Sequence, residues 1–243
     1  MRGLFLFLIL LMAPWAQAEP LRVAVAANFT APARELAALF KESTGHEVQL
    51  SFGSSGQFYA QITQAAPFDV FLSADAERPQ RLVKDGLALA DRRFTYAIGR
   101  LVLWSRDQRA NSGEAALRQP FEKLSIANPA AAPYGGAALD VLRNLGLLDQ
   151  LRARLVQGTS IAQTFQFVES GNAELGFIAL SQLEGRRDGG RWLVPSSLHT
   201  SLQQDAVLLT RARDNKVATQ FLNFLKSAEA RALIARFGYE LAP

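Results

Sequence analysis

Residues 21–30 read Leu21-Arg22-Val23-Ala24-Val25-Ala26-Ala27-Asn28-Phe29-Thr30. The apolar alternation over Leu21 to Ala26 has the pattern of a buried strand, and from Pro32 to Thr44 the apolar residues recur at helical spacing until Gly45. That is one complete β–α unit. Further along, Glu47 to Phe52 reads as a strand, Gly53-Ser54-Ser55-Gly56 as a turn and Ser55 to Gln64 as a helix. Phe68 to Leu72 is a third strand, followed by a helix to Asp85 that stops at Gly86. Strands alternating with helices predict an α/β fold with a mostly parallel sheet.

The pattern then restarts. Arg100 to Ser105, Leu124 to Ala127 and Glu174 to Ala179 read as strands, Tyr134 to Asn144 and Ser160 to Glu169 as helices, and Leu151 to Val156 as a mixed segment. Ala206 to Thr210 is one more strand, and helices over Lys216 to Leu225 and Ala228 to Phe237 close the chain. No internal repeat and no long polar linker divides it, so two lobes, if present, must exchange the chain more than once.

The 243 residues carry 26 basic and 22 acidic side chains, with 49% apolar residues and no cysteine. The apolar fraction is too high for a disordered chain, and the length is sufficient for a substantial core. The formal charge of +4 comes from scattered arginines without a block of like charges, which argues against a nucleic-acid partner. Zero cysteine removes disulfides, thiolate nucleophiles and thiolate metal sites, and His46 and His199 alone are too few for a multi-histidine centre.

Arg2, the apolar run Leu4 to Met12 and the small-x-small triplet Ala16-Gln17-Ala18 read as a cleavable signal peptide over residues 1–18. A spanning helix needs about 20 apolar residues. Cleavage would leave 225 residues with 25 basic against 22 acidic side chains. With no cysteine to carry a lipid, the mature chain is expected free in a periplasm.

In open α/β sheets ligands bind beyond the carboxyl ends of strands, where helix N-termini present free N–H groups. Four such junctions stand out: Ala26-Ala27-Asn28-Phe29-Thr30, Gly53-Ser54-Ser55-Gly56, Ala132-Pro133-Tyr134-Gly135-Gly136 and Gly158-Thr159-Ser160-Ile161. Each alone has an ordinary reading, with Asn28, Ser54 or Ser55, and Ser160 as helix caps and Gly135-Gly136 as a turn. Together they offer only neutral donors, which suits a fully deprotonated anion, because an acceptor or carboxylate there would repel it.

Enzyme readings fare worse. Gly53-Ser54-Ser55-Gly56-Gln57 lacks the final glycine of a nucleophile elbow. No P-loop, dinucleotide fingerprint or H-E-x-x-H occurs, and a Ser-His-Asp arrangement would have to use His46 or His199. Trp104 and Trp192 read as packing residues, and Arg186-Arg187-Asp188 as a solvated loop.

The segments Val23 to Thr30, Phe52 to Gly56, Pro67-Phe68-Asp69-Val70-Phe71-Leu72-Ser73-Ala74-Asp75, Asn128-Pro129 through Pro133-Tyr134-Gly135, and Leu175-Gly176-Phe177-Ile178 occur in that order. Over essentially the whole mature chain this resembles the periplasmic molybdate-binding proteins of ABC importers. The resemblance implies a two-lobed periplasmic-binding-protein fold of type II. Each lobe would be a mixed, mostly parallel sheet flanked by helices, with the ligand cleft between them. The lobes are expected over 19–97 plus 206–243 and over 98–205.

It further implies a monomer that holds molybdate, and with it tungstate, and delivers the anion to a membrane permease. No catalysis, cofactor or bare metal ion is implied. The ligand contacts carried over are Asn28, with Ala27 beside it, Ser55, Tyr134, and Ile161 through its backbone N–H. Many members have serine at the position of Asn28, tyrosine where this chain has Ala179, and a small residue where it has Tyr134. The Tyr134 phenol is accordingly expected to reach the anion from the other junction. A binder of sulfate or another tetrahedral oxyanion fits the four junctions as well, and a secreted hydrolase is the alternative from a different class.

Overall fold

The computed structural model describes residues 20–242, so the expected signal segment lies outside the described residues. The first half runs β1 (Leu21–Ala26), α1 (Thr30–Thr44), β2 (Val48–Gly53), α2 (Ser55–Thr63), β3 (Val70–Leu72), α3 (Glu77–Lys84) and β4 (Ala88–Gly99). There follow β5 (Leu101–Ser105), β6 (Leu124–Ala127), α4 (Pro133–Asn144), α5 (Leu148–Leu151), β7 (Leu155–Gly158), α6 (Ile161–Glu169), β8 (Leu175–Ala179) and β9 (Gly190–Leu193). β10 (Leu202–Leu209), α7 (Lys216–Phe224) and α8 (Ala228–Arg236) complete the chain.

Two five-stranded sheets result, ordered β2-β1-β3-β10-β4 and β7-β6-β8-β5-β9, and they share one plan. In each, a parallel trio is followed by an antiparallel strand and then an edge strand. The expected α/β fold with two lobes and mixed sheets is therefore present. β3, β6 and β8 are buried along their whole length, as strands covered on both faces by helices must be. The chain passes between sheets at Gly99 to Leu101 and again between Leu193 and Leu202. The lobe limits expected at 97/98 and 205/206 fall inside β4 and β10, both of which belong entirely to the first sheet.

β4 and β9 were not anticipated, and both lie at sheet edges. Edge strands keep charges that break the alternation. β4 carries Asp91-Arg92-Arg93, and Arg93 forms an ion pair with Asp205 of β10, whose carboxylate also accepts from Thr95 Oγ1 at 2.8 Å. That pairing also explains why β10 starts four residues before its expected apolar run, at Leu202, and takes in the polar Gln203-Gln204-Asp205. In the mixed segment, a 3-10 turn joins α5 to β7.

Helix ends follow local chemistry. α1 stops where Gly45 adopts φ 75° and donates to the Lys41 carbonyl at 2.8 Å, a left-handed cap that glycine takes without strain. Trp104 packs in the second lobe, stacked on Phe165 at 5.1 Å, and Trp192 packs partly buried against that lobe's core. Arg186 corrects the solvated-loop reading: its guanidinium lies 5.3 Å over Trp104 and pairs with Glu169 and Asp188.

Candidate functional site

The four junctions meet between the lobes around one small cleft. From the first lobe it is lined by Ala26, Ala27, Asn28, Ser54, Ser55 and Ala74, and from the second by Ala132, Pro133, Tyr134 and Ile161. All five sequence-derived site residues, Ala27, Asn28, Ser55, Tyr134 and Ile161, thus line one space, and no lining residue is charged.

In the second junction Ser54 caps α2. Its Oγ accepts from Gln57 N at 3.3 Å while its own N–H donates to Gln57 Oε1 at 3.0 Å. Ser55 is the first helical residue, so its N–H has no intrahelical partner. Its Oγ accepts from the Ala74 N–H at 2.9 Å, leaving the hydroxyl proton to donate. In the fourth junction Ser160 caps α6 by accepting from Gln163 N at 3.4 Å, and Ile161 holds the corresponding first position with a free N–H. In the third, Pro133 occupies the first turn of α4, where it has no N–H to lose, and Tyr134 follows. Gly135 is required there, because a Cβ would lie 2.1 Å from the Ala127 carbonyl oxygen.

The first junction differs from its cap reading. Asn28 does not cap α1; a 3-10 turn over Ala27–Phe29 leads into that helix. The Asn28 side-chain amide donates to Gln204 Oε1 at 2.9 Å and to Tyr239 Oη at 3.0 Å. The main-chain carbonyl of Asn28 accepts from Ser181 Oγ at 2.7 Å and from Tyr239 Oη at 2.8 Å. With the Asn28 amide engaged by Gln204 and Tyr239, the donors this junction has left are the main-chain N–H groups at the start of the turn, since the first donors of a helix lack intrahelical partners.

Behind the cavity Gln204, fully buried, joins these groups. Its Oε1 also accepts from Tyr96 Oη at 3.1 Å, and its Nε2 donates to Tyr134 Oη at 3.3 Å, so the phenol proton of Tyr134 remains available to donate. Burial pushes the Tyr134 phenol well above its ordinary range, against a partial counter-effect from Gln204 and Asn28, so it stays protonated at neutral pH. Ala179 does not line the cavity; it lies in the second-lobe core that also contains Tyr134, with its N–H on Gln182 Oε1 at 2.9 Å.

Sequence reasoning missed Gln204, Tyr96, Ser181 and Tyr239. Gln204 sits in the run Ser201 to Asp205, which looks like an exposed polar stretch, and only its position beside a buried strand hinted otherwise. His46 and His199 make no bond to a serine hydroxyl among the described residues; His199 Nδ1 lies 2.8 Å from the Thr200 carbonyl.

The chain matches the family model described as bacterial extracellular solute-binding protein over residues 21–240. It is 49% identical to the molybdate-binding protein ModA of Rhodobacter capsulatus, over 92% of this chain and 89% of that protein. It is also 49% identical to the ModA of Azotobacter vinelandii, over 95% and 94%. The solved structure of the A. vinelandii periplasmic molybdate-binding protein superposes with a TM-score of 0.88 at 41% identity, covering 92% of this chain and all of that one. With its model matched across both lobes, the chain belongs to the bacterial extracellular solute-binding proteins.

Proposed function

We propose that the chain captures molybdate in the cavity between its lobes and delivers it to the membrane permease of an ABC importer. The observation that carries this reading is the convergence of four helical starts on a small cavity with no charged side chain in its wall. Three of these starts open α2, α4 and α6, and each α-helix N-terminus is equivalent to about +0.5 elementary charge, which favours an anion without any formal cation. The names of the relatives point to the same ligand.

The donors are the main-chain N–H groups of Ala27, Asn28, Ser55, Tyr134 and Ile161, together with the Ser55 hydroxyl and the Tyr134 phenol. Because they come from both lobes, the anion binds the closed form better and shifts the population toward closure, the state a permease would recognise. Phosphate at neutral pH keeps a proton that a donor-only wall cannot accept, which leaves a buried donor unpaired at a cost of about 1–3 kcal/mol. Sulfate lacks that proton and is rejected on size, whereas tungstate, alike in charge and nearly alike in size, is accepted. After loss of residues 1–18 the chain works as a monomer free in the periplasm, with lobes close to 19–97 plus 206–243 and 98–205.

Thermal melting with molybdate, tungstate, sulfate and phosphate tests this. An anion at 100 times its Kd stabilises by about 2.7 kcal/mol, roughly 5–11 °C in a chain of this size. Shifts with molybdate and tungstate are expected. A shift with sulfate alone would replace molybdate by sulfate, and no shift with any of the four would remove the reading.

A further inference from the structure

Ser73-Ala74-Asp75 and the loop Asn128 to Ala132 are left partly unexplained by the cavity, and Arg78, which Asp75 holds, links them across the cleft. Inside the loop, Asn128 Oδ1 accepts from Ala130 N at 3.0 Å, and the Asn128 carbonyl accepts from Ala131 N at 3.1 Å and Ala132 N at 2.8 Å. Its donors are therefore satisfied internally, and the carbonyls of Ala130 and Ala131 are taken up by the other lobe. Gly56 N donates to Ala131 O at 2.8 Å, and Arg78 Nη2 donates to Ala130 O at 3.0 Å.

Arg78 is held in place for that contact. Asp75 accepts from the Arg78 N–H at 2.9 Å and pairs with its guanidinium, and Ser73 Oγ donates to Asp75 at 3.2 Å. Both side chains of the pair are mostly buried, at 18% and 17% exposure. Asp75 cancels the cation, so Arg78 grips the second lobe without drawing an anion out of the neutral cavity. The gripped loop leads directly into Pro133 and Tyr134, so holding Ala130 also holds the cavity wall.

We propose that Arg78, oriented by Asp75, is a positioning residue that latches the lobes together and sets how long the bound anion stays, without touching the anion. This rests on the anion-capture reading above. Closure is a step that follows encounter, so losing the latch raises the dissociation rate and leaves the association rate nearly unchanged.

The test is a chase of radiolabelled molybdate with excess unlabelled molybdate from full-length mature protein, alongside titrations with molybdate and sulfate. Arg78→Met is expected to release molybdate about tenfold faster, the size of one charge-assisted hydrogen bond. Association should stay within about twofold, the molybdate-to-sulfate ratio should not change, and Arg78→Lys should recover part of the slow release. Asp75→Asn should show the same acceleration in milder form, and it carries the test if Arg78→Met does not fold. Unchanged release in the folded variants overturns the latch, as does a changed selectivity ratio, which would make Arg78 a ligand contact. Failure of the wild-type protein to bind any of these anions would instead strike the functional reading.

Discussion

The side-chain amide of Gln204 donates to the phenol oxygen of Tyr134 at 3.3 Å, joining a strand of the first sheet to a helix of the second lobe. Its carbonyl end simultaneously accepts from Asn28 and Tyr96. One glutamine therefore aligns the first junction, the crossing strand β4 and the cavity phenol. Gly99 makes this possible, since a Cβ there would lie 2.1 Å from Tyr134 Oη.

Gln204→Leu leaves one amide proton of Asn28 without an acceptor in a buried site, while Tyr96 Oη keeps the Ser73 carbonyl at 3.1 Å. The expected loss is about 1–3 kcal/mol, a fall in Tm of roughly 2–12 °C. Molybdate affinity should fall with it because Tyr134 loses its anchor. Melting and titration calorimetry on the same preparation check both effects.

Neighbouring serines should separate cleanly. Ser55→Ala removes a hydroxyl donor to the anion and is expected to weaken molybdate binding by about ten- to a hundredfold; it also strips the buried Ala74 N–H of its acceptor, at about 1–3 kcal/mol of stability. Ser54→Ala instead loses the α2 cap, at about 1 kcal/mol of stability, and leaves affinity nearly intact. Equal effects of the two on affinity would contradict the division of roles.

Gly56→Ala places a Cβ 2.9 Å from the Ala131 Cα and 3.0 Å from its carbonyl oxygen, both main-chain atoms of the opposite lobe. Neither core is touched, so the Tm without anion should hold, while the lobes are wedged apart. Small-angle scattering in saturating molybdate should show a larger radius of gyration than the wild type, with weaker binding in titrations.

Burial raises the phenols of Tyr96, Tyr134 and Tyr239 above their usual value of 10.0. Folded tyrosines with raised pKa hold protons that the unfolded chain releases, so their contribution is complete below pH 10 and is lost as pH rises beyond it. The loss has a slope of about 1.4 kcal/mol per pH unit for each such tyrosine. Melting from pH 8 to 11.5 should therefore be flat with respect to these groups up to about pH 10 and then fall steeply. Tyr239→Phe should make that fall shallower.

The parts of the fold legible in the sequence were those whose signal is local. Strands covered on both faces, such as Leu175–Ala179, are continuous apolar runs, and helix caps such as Ser54 and Ser160 act within three residues. β4 and β9 escaped because edge positions tolerate charge, and Asp91-Arg92-Arg93 hides a twelve-residue strand. The junctions that supply the cavity wall were legible because each is a local strand-to-helix turn, whereas the individual residues were picked out by the family resemblance. Gln204, Tyr239 and Ser181 were not, because their roles depend on partners far away in sequence: Tyr239 meets Asn28 at a separation of 211 residues, and Ser181 meets it at 153. Asn28 shows the limit from the other side, since its residue type suggested a cap while long-range partners claimed its amide.

β10 has a consequence for the order in which this protein can be built. The second sheet draws all its strands from one stretch, Leu101 to Leu193, whereas the first sheet needs Leu202–Leu209 between β3 and β4. Until that segment emerges, β4 has no strand beside it and β3 keeps an open edge, the kind of surface that pairs with other chains. The lobe that begins the chain is thus completed last, by strand pairing over long sequence separation that slows folding. Whatever binds the chain before residue 209 has been made therefore meets a first sheet with an open edge.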